Sequence, residues 1–68
     1  MEDIEERLRI LLDYWIEHNR EHEGEFRDWA EKAASLSGDV AQQLREAATK
    51  MAAASSDLMK AQQALTNK

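Results

Sequence analysis

The stretch Ala34-Ser35-Leu36-Ser37-Gly38-Asp39-Val40-Ala41-Gln42 decides the fold, because Ser37-Gly38-Asp39 is the strongest interruption in an otherwise helix-forming chain. Gly38 suits the left-handed position just past a helix C-terminus. Asp39 suits the N-cap of a following helix, with Gln42 three residues on as its capping-box partner. Asp3 and Glu6 repeat that signature near the start of the chain. The spacing predicts helix 1 over about residues 4–36, a turn over 37–39 and helix 2 over about 40–65, all in a single domain spanning residues 1–68. At ~1.5 Å per residue the two helices span roughly 50 and 39 Å. So short a connection permits only an antiparallel hairpin.

Outward from the turn, the composition agrees. The chain has 68 residues, no proline, no cysteine and two glycines. Alanine is abundant, and the β-branched residues are only Ile4, Ile10, Ile16, Val40, Thr49 and Thr66. Both biases favour long helices over a turn-rich β fold. Gly24 falls inside helix 1, where glycine costs about 1 kcal/mol relative to alanine. The apolar pattern runs through it, so helix 1 is expected to continue without a break. A chain this short exposes much surface per buried atom. Without disulfides or thiolate metal sites, its stability is expected to come from association, a non-thiolate metal, or both.

The net charge of −5 disfavours nucleic-acid binding, which needs an excess of Lys and Arg. Residues 1–36 carry eleven acids and five bases, whereas residues 37–68 carry three acids and four bases. An acidic first helix beside a near-neutral, alanine-rich second one is electrostatically tolerable. No apolar run approaches membrane-spanning length, and Met1-Glu2-Asp3 has the wrong charge for a secretory leader. The expected compartment is the cytoplasm, with neither membrane nor nucleic acid as partner.

In helix 1 the apolar stripe reads Ile4, Leu8, Leu11, Trp15, Phe26, Trp29, Ala33 and Leu36. Three- and four-residue steps bridge the gap from Trp15 to Phe26 through His18 and His22, which are therefore expected to face inward. Leu8, Trp15, His22, Trp29 and Leu36 recur every seven residues, as in a coiled-coil seam. The step from Trp15 to Phe26 is a local hendecad, which straightens or reverses the supercoil. Helix 2 has a thinner stripe: Val40, Leu44, Ala47 or Ala48, Met51, Ser55, Leu58, Gln62 and Leu65. Leu12, Ile16 and Ala30 widen the apolar side of helix 1 beyond what one partner helix covers. The fold class expected is thus all-α: an antiparallel hairpin that dimerises into a four-helix bundle.

His18 and His22 project from one helix face, one turn apart, so both imidazoles can reach one ion. Glu21 and Glu25 each follow a histidine by three residues, and Asn19 lies between the pair. Hairpin positions summing to about 75 place Ser55, Ser56 and Asp57 opposite the histidines, with Asp57 as a carboxylate for a ring N–H. Four imidazoles from two chains suit zinc, nickel or cobalt. The competing reading is a buried polar layer that sets register in a structural or protein-interaction module. Trp15, Phe26 and Trp29 are expected in the core, walling the site. Enzymatic activity is not expected. Asn19 stands where H-E-x-x-H needs its glutamate, no Glu-x-x-His is present, and no Gly-rich phosphate loop or nucleophile motif occurs.

The run Leu11-Leu12-Asp13-Tyr14-Trp15-Ile16-Glu17-His18-Asn19-Arg20-Glu21-His22, with Phe26, Trp29 and Ala30, resembles a small helical domain of prokaryotes. That domain's hallmark is W-I-x-H-N-x-x-H-x-x-x-F-x-x-W-A. It has no assigned activity, and it occurs alone or attached to small nickel-binding accessory proteins of the CooT type. The resemblance implies that Trp15, His18, Asn19, His22, Phe26 and Trp29 are signature residues, and it favours metal handling. Its members often carry a further histidine just before the tryptophan, where this chain has Tyr14.

Overall fold

A computed structural model describes residues 3–68. Two helices, α1 (Ile4–Ala33) and α2 (Gly38–Thr66), pack against each other as an antiparallel hairpin about 54 Å long. Asp3 caps α1, its carboxylate accepting from the Glu5 amide at 3.0 Å. Glu5 and Glu6 then sit in the first turn, where the helix dipole favours acids. Gly24 lies within an unbroken α1, and a Cβ added there would meet nothing within 4 Å.

The turn differs from the expectation in detail. α1 ends at Ala33, and Ser37, not Asp39, is the N-cap of α2. The Ser37 hydroxyl accepts from the Val40 amide at 3.3 Å, while its own N–H bonds back to the Ala33 carbonyl at 2.8 Å. One residue thus closes the first helix and opens the second. Gly38 is consequently the first residue of α2 and has no positive φ. Asp39 keeps a favourable place in the first turn of α2, beside its unpaired amides.

The register matches the expected sum of about 75. Lys68 Nζ donates to Glu5 Oε1, Gln62 Nε2 donates to Asp13 Oδ1, and Arg20 Nη2 touches Met59 Sδ, so paired positions sum to between 73 and 79. The outer pairs Arg9–Glu5 and Arg27–Glu23 form at 2.8 and 3.1 Å. Such solvated i, i+4 pairs contribute little to stability.

The buried seam is narrow. From α1 it takes Leu12, Ile16 and Ala30; from α2 it takes Ala41, Ala48 and Ser55. Leu8, Phe26, Leu44, Met51, Leu58 and Leu65 are half-buried at its margins. Ala41, not Val40, faces α1 at the start of the second helix. Small residues on α2 let the helices approach closely near Ala30, while Leu12 and Ile16 fill the seam toward the open end of the hairpin. That close approach has a geometric consequence for α1. Ile4, Leu11, Trp15 and Trp29, expected inward, are 77, 40, 39 and 58% exposed, and Leu36 lies uncovered in the turn. With 3.6 residues per turn, the line Leu12–Ile16–Asn19–Glu23–Ala30 lies about a quarter-turn from the line Leu11–Trp15–His18–His22–Trp29. α2 packs on the first line, and the second, which carries both indoles, stays open.

Candidate functional site

His18 and His22 lie on that open line of α1. Their side chains look away from α2 and not into the hairpin seam, which corrects the inward placement. His18 is exposed, and the His22 side chain is 39% exposed. One helical turn separates them, and their Nε2 atoms converge to 3.1 Å. The rings meet edge to face, with centroids 4.5 Å apart. Rings flank the pair on both sides. Tyr14 stacks on His18 at 5.4 Å and Phe26 on His22 at 5.8 Å. The four rings 14, 18, 22 and 26 form a ladder along one helix face, each step four residues long. Phe26 is thus a wall of the site as its spacing implies, whereas Tyr14 joins it as a ring the spacing alone did not single out.

Glu25 Oε1 stands 3.3 Å from Nδ1 of His22. The carboxylate thus approaches the ring nitrogen turned away from His18. A carboxylate at this distance favours a proton on the facing ring nitrogen. Glu21 is exposed and shares a shallow open hollow with Tyr14, Glu17 and His18. Asn19 is half-buried at the edge turned toward α2. Among the described residues, no group of three His, Asp or Glu side chains stands together as a metal-holding cluster. One chain therefore presents two converging nitrogens and nearby carboxylates.

Other expected members lie apart. Ser55 is buried on α2, and its hydroxyl has no hydrogen-bond partner among the described residues. Asp57 is exposed, and no hydrogen bond or ion pair joins it to either histidine among the described residues. The register does bring residues 55–57 level with the histidines, but the imidazoles point out of the hairpin, so level does not mean facing. Of the three aromatic walls expected, only Phe26 touches a histidine. Trp15 is 39% exposed and outside the seam, and Trp29 carries the Lys32 ammonium 4.4 Å above its ring.

Comparison with known proteins adds the family. Residues 8–65 match the model of a domain of unknown function, DUF8180. The chain belongs to this family. The match spans the hairpin, including the histidine pair and the buried seam. An uncharacterised protein of Archaeoglobus fulgidus is 42% identical over 45 residues, covering 66% of this chain and 73% of the relative. No solved structure matches the chain. The family label carries no activity, so function has to be argued from the geometry.

Proposed function

We propose that this chain is a non-enzymatic metal-holding module, in which Nε2 of His18 and Nε2 of His22 grip one divalent ion: nickel, cobalt or zinc. The hairpins associate into a four-helix bundle in the cytoplasm. The separation of those two atoms, 3.1 Å, is the observation that carries the reading. Two nitrogens bound to one ion at 2.0–2.1 Å lie about 2.9 Å apart at a right angle and about 3.4 Å apart at the tetrahedral angle. The pair already falls inside this range, so little rearrangement separates it from a chelate. Glu25 behind His22 supports the reading, because a carboxylate on the far ring nitrogen orients a ligand imidazole and raises its basicity. Glu21 and solvent are the nearest further oxygen donors. Imidazole and carboxylate together, without thiolate, suit nickel, cobalt or zinc.

The second reading keeps the histidines as a polar layer of an interaction module. It is favoured by the same contact seen otherwise: a ring N–H donating to the neighbouring ring at 3.1 Å satisfies both side chains without an ion. Calorimetric titration with nickel, cobalt or zinc separates the two. The metal reading expects binding heat and a melting temperature that rises with metal concentration. His18→Ala and His22→Ala should each remove both signals. No heat and no thermal shift with any of the three ions refutes metal binding in favour of the polar layer.

A further inference from the structure

We infer that a second copy of this chain docks on the open face of α1, antiparallel to it and two-fold symmetric. The docking places His18 against His22 of the other copy and joins four imidazoles in one layer. That this layer holds an ion rests on the metal reading above; the docking itself rests on the face.

Three observations carry it. The first is the pattern of the uncovered residues. Leu11 and Trp29, Tyr14 and Phe26, and His18 and His22 are equidistant from position 20, and all except the half-buried His22 and Phe26 are exposed. A two-fold axis at that point turns apolar onto apolar, ring onto ring and imidazole onto imidazole. Ile4, 77% exposed, then reaches toward the turn of the other copy, where Leu36 is 85% exposed. A parallel arrangement would instead stack each residue on its own twin and place Trp29 against Trp29. An isologous interface needs this self-complementarity, and a face meant for an unrelated partner has no reason to possess it.

The second is area. Large aromatic side chains offer roughly 150–250 Å² each. The uncovered parts of Ile4, Leu11, Tyr14, Trp15 and Trp29, with the imidazoles between them, amount to several hundred Å² per chain, the scale of the ~800 Å² that each partner contributes to a standard stable interface. The third is the poverty of the hairpin core. Among the described residues, Leu12 and Ile16 are its only large buried side chains, and neither is below 2% exposed. A second hairpin on α1 completes the core that α2 leaves unfinished. It also completes the site: two nitrogens from each chain give the four donors that one chain lacks.

The chain has no cysteine, so introduced thiols report the docking directly. Arg7→Cys and Lys32→Cys edge the same side of the face, at positions equidistant from its centre to within one residue. The two proteins, alone and mixed, are treated with a short thiol crosslinker, and sedimentation is measured with and without nickel. Antiparallel docking expects a dimer and a mixed crosslink several-fold more abundant than either self-link, because like positions lie roughly 37 Å apart along the helices. Metal, where bound, saturates at one ion per two chains. Efficient self-linking of either variant overturns the antiparallel docking, as does a folded monomer at every concentration. A monomer that still takes one nickel ion overturns the docking and leaves the metal reading standing. Antiparallel linking in protein that binds no metal supports the docking and overturns the metal reading.

Discussion

The imidazole of His22 is held from both sides, by Glu25 at Nδ1 and by His18 at Nε2, and this double contact sets its chemistry. If the pair binds nickel as proposed, metal and protons compete for the same nitrogens, and affinity should fall on acidification, as titrations at stepwise lower pH will measure. Glu25→Gln keeps the shape but weakens the acceptor behind His22. It should lower metal affinity by about 10- to 100-fold while leaving the far-ultraviolet circular dichroism unchanged. Ser55 is a separate case. Its buried hydroxyl has no partner among the described residues, and such a group costs roughly 1–3 kcal/mol. Ser55→Ala should therefore raise the denaturant midpoint. A loss of stability would mean that the hydroxyl has a partner in solution. Both histidines were evident in the sequence as one-turn neighbours. The role of Glu25 at Nδ1 was not, because a three-residue spacing allows either ring nitrogen or neither.

On the scale of the element, α1 is a helix with two apolar lines and α2 a helix with one. Periodicity shows that a line exists, but two lines a quarter-turn apart share Leu8 and Phe26 and merge in a heptad count. The larger residues made the more conspicuous line, and that line proved to be the uncovered one. The caps carry a similar lesson. Ser37 and Asp39 are both good N-caps, and only the closure of the Ala33 turn selects Ser37. Ser37→Ala should cost about 1 kcal/mol, measured by chemical denaturation. Gly24→Ala should stabilise by a similar ~1 kcal/mol, since the site is helical, exposed and open around the added Cβ. At the far ends of the helices, the Lys68 ammonium, and after it Arg9, holds the Glu5 carboxyl below its ordinary value of 4.5. A lowered acid contributes stability above its unfolded value and loses it as pH falls through the folded one. The stability difference between wild type and Lys68→Ala should therefore be present near neutrality and vanish in acid. The contribution is small, because the pair is solvated.

For the whole molecule, the balance between surface and core decides most. A two-helix unit with alanines along half its seam has few large side chains to remove from water. Leu12→Ala removes one of the two large buried groups. It should cost about 2–4 kcal/mol, enough to unfold much of the population in a thermal scan. If copies associate over α1, the melting temperature should rise with protein concentration across a dilution series. A temperature independent of concentration would tell against association. Trp15→Ala and Trp29→Ala truncate residues that are 39 and 58% exposed in the single hairpin, so the part of their cost that comes from lost association should disappear on dilution.

Composition and local signals were enough to determine two long helices, one short turn, their antiparallel pairing, its register and the shared face of His18 and His22. These depend on propensity, capping and chain length, which act within a few residues of one another. Which line of α1 would be buried was decided only in the tertiary structure. That choice depends on how closely the second helix approaches. Ala41 and Ala48 let the second helix close on the stretch around Ala30, Leu12 and Ile16 fill the seam toward the open end, and the larger Trp15 and Trp29 stay outside it. The histidines consequently face out of the hairpin, on the surface that remains to be covered.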